Sequence, residues 1–152
     1  MRGIDAALVE LEGGAFDIQI GFDGDIQTED FFDSAIVVSL FSDRRANEAE
    51  VSESSRRRGW IGNEYTPGFE MGSKLWIFEQ SRLTRTVIGE LENAARAALQ
   101  WLVDEGFAVS IGEITARPFG NGGLALEVEI FRTTSIVTRR YFELWQNTGV
   151  TA

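Results

Sequence analysis

The chain has 152 residues, a length suited to one domain with its own core, and we expect a single domain over residues 1–152. Its formal net charge of −10 repels nucleic-acid phosphate and anionic lipid, so neither nucleic acid nor a membrane is expected as a partner. Histidine is absent, which removes the commonest general base, and cysteine is absent, which excludes thiolate metal sites. No phosphate-binding glycine loop occurs either, so no cofactor is expected.

The N-terminal part of the chain carries weak secondary-structure signals. Residues 1–15 contain two adjacent glycines and predict an irregular or peripheral segment. Residues 16–20 alternate apolar and polar side chains, which indicates a half-buried strand, and the glycines and aspartates of residues 21–25 predict a turn. Residues 30–42 fit two structures, because their β-branched composition favours a strand and their apolar spacing favours a helix.

A long connection over about residues 42–71 follows, and it is the first candidate for a protein interface. Loops of this length are uncommon in compact domains unless they bind something. Arginine and tryptophan are enriched in interface hot spots, so we expect partner contacts from Arg56, Arg57, Arg58, Gly59, Trp60 and Tyr65. Two plainer alternatives stay open: neighbouring glutamates balance the arginines, or the aromatic rings pack onto their own domain.

The second half of the chain predicts regular helices. Ser73 is a candidate cap for a short helix, and Thr84 is a candidate cap for the longest one. The apolar residues of the longest helix recur every three or four positions as far as Asp104. Gly106 suits the left-handed position just past its end, and we assign Trp101 to the core.

Three strands of an antiparallel meander are predicted after this helix, over residues 107–117, 124–132 and 136–145. The glycine-rich residues 120–123 between the first two strands are a strong hairpin signal. The predicted fold class is therefore α+β: a mainly antiparallel sheet with a long helix and one or two shorter helices packed on one face.

The last predicted strand is the second candidate for a protein interface. As the final strand of the chain it is a natural sheet edge, and an apolar edge left unpaired invites pairing with another protein. The residues expected to take part are Arg139, Tyr141, Phe142 and Trp145. The alternative is a central strand that is already paired on both sides.

Catalytic and metal sites find little support. Adjacent residues on a helix point in different directions, so Asp104 and Glu105 do not form the facing carboxylates of a glycosidase. Asp23 and Asp25 flank a glycine, but the other ligand positions of a calcium loop are missing. We therefore expect no enzymatic activity. The lack of a membrane-length apolar run and of a signal-peptide core predicts folding in a cytoplasm.

Four sequence blocks together resemble the Mu-like phage baseplate family. In chain order they are Ser39-Leu40-Phe41-Ser42-Asp43-Arg44-Arg45, Arg57-Arg58-Gly59-Trp60-Ile61-Gly62, Gly72-Ser73-Lys74-Leu75-Trp76 and Ala98-Leu99-Gln100-Trp101-Leu102. The likeness covers residues 16–132. A more distant likeness to the wedge proteins of other contractile tails rests on Phe69, Gly72, Leu75, Phe78 and Glu79. Residues 103–106 depart from the Glu-Pro-Arg that is frequent in those proteins, so no contact of that motif is carried over.

The resemblance implies structural work in a virion. The family segment that corresponds to residues 30–42 is helical, so we expect a helix there. The family member clamps the larger wedge subunits and offers a sheath-like surface to the first sheath ring. The implied partners are other baseplate wedge subunits, the tail sheath subunit and the central hub or tube proteins. The implied location is the tail baseplate, with assembly in the host cytoplasm. A cytoplasmic adaptor that binds a peptide on a sheet edge, and a carboxylate-only hydrolase, stay open as other functions.

Overall fold

A computed structural model describes residues 4–11, 15–25, 28–51, 57–79, 81–120, 123–132 and 136–145. Two helices and three small antiparallel sheets occur in these residues, and the α+β class is confirmed. The sheets pair β1 with β4, β2 with β3, and β5 with β6 and β7 in that spatial order. The elements are β1 (Ile4–Ala6), β2 (Leu8–Leu11), β3 (Ala15–Ile18), β4 (Thr28–Asp30), α1 (Phe31–Phe41), α2 (Arg85–Asp104), β5 (Ser110–Phe119), β6 (Gly123–Phe131) and β7 (Val137–Trp145).

The long helix α2 forms as its sequence predicts. The Thr84 hydroxyl accepts a hydrogen bond from the Val87 backbone N–H at 3.2 Å and so caps the first turn. Gly106 adopts the left-handed φ of 79° just beyond the last turn. The buried stripe of α2 faces the core and consists of Leu91, Ala95, Ala98, Leu99 and Leu102.

The three-stranded sheet supplies the other half of the core. Strand β6 lies in its centre, and its alternate residues Leu124, Leu126, Val128 and Ile130 have no exposed surface. Burial of an aliphatic side chain of this size contributes roughly 1.5–3 kcal/mol, so this row is a major source of stability. Both helices pack on this face, as predicted, because the same hydrophobic cluster contains the buried residues of α1, α2 and the sheet.

The helix expected at residues 30–42 is confirmed as α1. It is buried around most of its circumference, including Phe32, Ile36 and Leu40. A helix that is covered on nearly all sides loses the one-sided apolar pattern that identifies helices in sequences, which explains the ambiguity of this segment. The buried Ser39 hydroxyl accepts a hydrogen bond from the Trp101 indole N–H at 2.8 Å, and this bond joins α1 to α2.

Two predictions for the first half of the chain are confirmed only in part. The segment 1–15 is not wholly irregular, because its described residues contain β1 and β2, which pair with β4 and β3. The short helix after Ser73 is a single 3₁₀ turn, Leu75–Phe78, with Lys74 at the cap position. The Ser73 hydroxyl still accepts a hydrogen bond from the Leu75 N–H at 3.3 Å.

Candidate protein interface

The loop 42–71 begins and ends at a backbone bridge between Asp43 and Ser73, which we call the neck. The Arg44 N–H donates to the Ser73 carbonyl at 2.9 Å, and the Ser73 N–H donates to the Ser42 carbonyl at 2.8 Å. Gly72 has φ of 105°, and a Cβ at this position would stand 2.5 Å from the Ser42 oxygen. Only glycine therefore fits this close approach, and the two ends of the loop are held together.

Hydrogen bonds inside the loop fix its two described halves. The Ala46 N–H donates to the Arg57 carbonyl at 2.9 Å, and Arg57 Nε donates to the Ala46 carbonyl at 2.7 Å. Further along, the Asn63 side chain bonds both the carbonyl and the N–H of Met71, at 3.0 and 2.9 Å. Arg57 also lies 3.5 Å from the Glu48 carboxylate, so a neighbouring glutamate balances the charge of this arginine.

Arg58 holds the loop against the segment that follows it. Its guanidinium lies 3.3 Å from the carboxylates of both Asp43 and Glu79 and 4.8 Å from the centre of the Trp76 ring. The Trp76 indole N–H in turn donates to the Arg44 carbonyl at 2.8 Å. Arg58 also has φ of 49°, a left-handed conformation that is unusual for an arginine. Its side chain is therefore occupied within the protein.

A second ion pair joins the loop to the residues beyond the neck. Lys74 Nζ lies 2.8 and 3.0 Å from the two Glu50 carboxylate oxygens, and the Asn47 N–H donates to the same carboxylate at 2.7 Å. The Lys74 hydrogen bond first, and the Asn47 N–H second, lower the pKa of the Glu50 carboxyl below its ordinary value of 4.5. The loop is thus held partly by the negative charge of the Glu50 carboxylate, which is lost when the carboxyl group is protonated in acid.

The exposed part of the loop is apolar and aromatic. It surrounds the 3₁₀ turn Ile61–Glu64, where Trp60 is 45% exposed and Tyr65 is 80% exposed. The Trp60 ring lies over Gly62, where a Cβ would stand 2.0 Å from a ring carbon. A groove of about 390 Å³ runs beside Trp60, between Arg45 and Glu70. Ile61, which the sequence did not single out, is also exposed and widens this surface.

Strand β7 lies at an open edge of the three-stranded sheet, since β6 is its one neighbour among the described strands. The Arg132 N–H donates to the Ile136 carbonyl at 2.9 Å, and the pairs along β6 and β7 alternate from that point. The backbone N–H groups of Arg139 and Tyr141 therefore point away from β6, toward the free edge. The Tyr141 side chain is exposed on the outer face of the sheet.

The opposite edge, β5, is covered. The Glu92 carboxylate accepts a hydrogen bond from the Ala116 N–H at 2.8 Å. Arg96 donates to the carbonyls of Ile111 and Gly112 at 3.4 and 3.0 Å. A register shift between residues 111 and 114 further interrupts this edge. Within the described part of the chain, β7 is the edge that offers outward-facing backbone N–H groups, those of Arg139 and Tyr141, to another strand.

Four of the residues proposed for the interface need separate comment. The Phe142 side chain is 1% exposed and packs against Phe41 at 5.3 Å between ring centres, so it belongs to the core, and an external contact by this side chain is excluded. Arg139 is exposed and forms a 2.7 Å ion pair with Glu129. Arg56 and the side chain of Trp145 lie outside the described residues. The sequence does not separate Phe142 from Tyr141, because the register alone decides which side chain faces inward.

Neither a metal centre nor a membrane segment emerges from the part of the chain that the structure describes. Its Asp and Glu side chains form no group of three or more that is suited to a metal ion. Neither α1 nor α2 has the length and apolar character needed to cross a membrane. Among the described residues predicted for the interface, Arg57, Arg58, Gly59, Trp60 and Tyr65 lie together in the loop. Arg139 and Tyr141 lie on β7, so these seven residues occupy two separate parts of the molecule.

Comparison with known proteins identifies the family. The family model described as phage protein GP46 matches residues 32–136. The chain belongs to the GP46 family of Mu-like phage proteins. It is 36% identical over 105 residues to the Mu-like prophage FluMu protein gp46 of Haemophilus influenzae, covering 69% of this chain and 71% of the relative. It is 30% identical over 128 residues to the baseplate protein gp46 of Escherichia phage Mu, covering 83% and 86% of the two chains. The resemblance to Mu-like baseplate proteins that the sequence blocks indicate is thereby confirmed.

Proposed function

We propose that this protein is a structural subunit of the baseplate of a contractile Mu-like tail or tail-like particle, where it clamps larger wedge subunits and offers an attachment point to the first sheath ring. The observation that carries the proposal is the similarity to the phage Mu baseplate protein over 83% of this chain. A structural subunit needs stable surfaces for its neighbours. The loop 42–71 and the β7 edge are the two surfaces that supply them.

The loop is the surface that contacts a wedge subunit in this proposal. Arg57 and Arg58 contribute indirectly, because their ion pairs with Glu48, Asp43 and Glu79 hold the loop to its own domain. Trp60, Ile61 and Tyr65 then provide exposed apolar and aromatic area on a fixed backbone. Rigid aromatic groups are favourable anchors because little conformational entropy is lost when they bind.

The β7 edge is the surface that receives the sheath. The N–H groups of Arg139 and Tyr141 point away from β6, so an extended segment of a sheath subunit can pair with β7 through its backbone. The 3.1 Å ion pair between Arg140 and Asp33 ties the strand to α1 and keeps the edge in place. Backbone pairing tolerates different side chains on the added strand, which suits a site that copies a sheath subunit.

The loop contact is tested with Trp60→Ala. We expect wedge assembly, measured by copurification with the larger wedge subunits, to weaken by about 2 kcal/mol or more, the scale of an interface hot spot. The free energy of unfolding of the isolated protein should change by about 1 kcal/mol or less, because Trp60 is half exposed. Val109→Ala removes an exposed apolar group outside the loop and is the matched control. Normal assembly with an early melting transition would assign Trp60 to the fold and reject the contact.

The edge contact is tested with Tyr141→Pro, which removes an outward-facing backbone donor. We expect the isolated subunit to stay folded and sheath attachment to fall at least about tenfold, the equivalent of one strong backbone contact. Tyr141→Ala keeps the N–H and should retain attachment. Proline at Phe142 is no substitute, because that residue pairs inward with Leu126 and its ring is in the core. Normal sheath attachment by Tyr141→Pro would rule out strand addition at this edge.

Two experiments separate this function from the alternatives. Mass spectrometry of purified tail particles should detect the protein in stoichiometric amounts, whereas an adaptor for a peptide client would be absent from the particles. A peptidoglycan assay tests the hydrolase alternative. Turnover that disappears when one specific Asp or Glu is replaced would contradict the structural role.

A further inference from the structure

The charge of the chain is strongly asymmetric. Residues 3–43 contain ten of the 24 acidic residues and none of the 14 Lys and Arg residues, so the other residues sum to zero formal charge. The whole net charge of −10 therefore belongs to this segment. The described part of it forms β1 to β4 and α1. Such a concentration of one sign creates a local field that favours a basic partner.

The same segment exposes apolar side chains at the end of β3 and in the turn beyond it, which we call the N-terminal ridge: Ile18, Ile20 and Phe22. Val9 and Leu11 are also exposed but lie on the other face of the hairpin formed by β2 and β3, because Val9 pairs with Asp17 whereas Leu8 pairs with Ile18. Ile18 and Ile20 follow on the returning strand, and the Phe22 side chain is fully exposed in the turn beyond it. A two-stranded ribbon is marginal by itself, and apolar residues that it leaves exposed gain from a covering partner.

The ridge stands on a fixed backbone. Phe16 of β3 packs against Phe41 of α1 with ring centres 4.6 Å apart, which anchors the hairpin to the core. The turn that carries Phe22 is closed by a 2.8 Å hydrogen bond from the Gly21 N–H to the Asp25 carbonyl. A side chain presented by an anchored hairpin and a closed turn loses little freedom on binding, so Phe22 has the properties of an interface anchor.

Carboxylates border the ridge. Asp23 and Asp25 flank Phe22 in the turn, and Glu10 and Asp17 lie on the hairpin. No Lys or Arg of the described residues forms an ion pair with these four groups. By contrast, the neighbouring acids Asp33 and Asp43 are paired with arginines of the protein itself. The unpaired charges thus surround the exposed apolar groups.

We propose that the N-terminal ridge is a docking surface for another protein that offers an apolar groove bordered by lysine or arginine. Phe22 enters the groove, and Asp23 and Asp25 meet its basic border. Like-charge repulsion disfavours an anionic lipid surface or nucleic acid as the occupant. The ridge precedes the residues matched by the family model, and this docking is separate from the contacts proposed for the loop and for β7.

The test places a photoreactive benzoylphenylalanine at position 22 of the full-length protein in cells that produce tail particles, with position 109 as an exposed control. Irradiation should link position 22 to a Lys- or Arg-containing peptide of another tail protein, at a yield at least about tenfold above the control, as for a specific contact. Three outcomes would overturn the proposal: adducts no more abundant than at position 109, adducts to a second copy of this chain, or adducts to lipid.

Charge reversal supplies the second arm. Asp23→Lys with Asp25→Lys should lower the crosslink yield at position 22 at least about tenfold, because the basic border is then repelled. Asp104→Lys with Glu105→Lys is the matched control, since both residues are exposed at the end of α2. If the first variant melts early, the wild-type yield is measured instead between about 0.05 and 0.5 M NaCl, where screening should lower it. A yield indifferent to charge and salt contradicts the proposed basic border.

Discussion

Gly72→Ala puts a methyl group 2.5 Å from the Ser42 carbonyl oxygen and 3.0 Å from the Arg44 nitrogen. Both atoms form the neck hydrogen bonds to Ser73, so neither moves without lengthening a bond. Strain at φ of 105° costs about 1–3 kcal/mol, and one lost neck bond costs about 1 kcal/mol. We therefore expect the free energy of unfolding to fall by about 2–4 kcal/mol.

Gly68→Ala is the matched control for this change. Gly68 has φ of 86°, but a Cβ there meets no atom within 4 Å, so the variant carries the backbone strain without the clash. Urea denaturation followed by tryptophan fluorescence should find Gly72→Ala less stable than Gly68→Ala by at least about 1 kcal/mol. Amide hydrogen exchange at Ala46, whose N–H bonds Arg57, should also be faster in Gly72→Ala. Equal losses in the two variants would refute the close approach at the neck.

Two further predictions concern the links between helices and loop. Trp101→Phe removes the indole donor to the buried Ser39 hydroxyl and should lower the free energy of unfolding, measured by urea denaturation, by about 1–2 kcal/mol. In a Ser39→Ala background the same replacement should lower it by less, because the bond is already absent. Equal losses in the two backgrounds would contradict the hydrogen bond. Because the pKa of Glu50 is lowered by Lys74, the pair stabilises the fold above pH 4.5 and the stability is lost as pH falls through the folded pKa. Glu50→Gln should therefore be less stable than the wild type at pH 7, and this difference should shrink as pH falls below 4.5; a difference that stays constant with pH would contradict this linkage.

The elements that sequence reasoning predicted correctly are those with strong local signals. Helix α2 has an N-cap at Thr84, a long apolar period and Gly106 beyond its end, and all of these lie within one stretch of chain. The strands of the meander alternate cleanly, as at Leu124 and Leu126. The first meander strand begins at Ser110 rather than at residue 107, because Gly106 and Ala108 still bond the last turn of α2.

The N-terminal strands escaped prediction for a physical reason. Strand β1 has three residues and pairs with β4 across more than twenty positions of the chain. A strand this short has no detectable period, and its stability comes from tertiary pairing. The exposed ridge at the end of β3 and in the turn beyond it was missed for the same reason, although the charge asymmetry that surrounds it can be counted directly in the sequence.

The sequence by itself determined the α+β class, the long helix, the hairpin meander and the likeness to Mu-like baseplate proteins, because these depend on local periods, turn residues and short blocks. The tertiary structure decided how the candidate interface residues are used. Arg58 meets Asp43 and Glu79, and Phe142 turns inward while Tyr141 turns outward. The contacts of Arg58 depend on residues that are brought together from distant positions of the chain. The orientation of Phe142 and Tyr141 depends on the register of the paired strands. The local sequence pattern encodes neither the distant contacts nor the register.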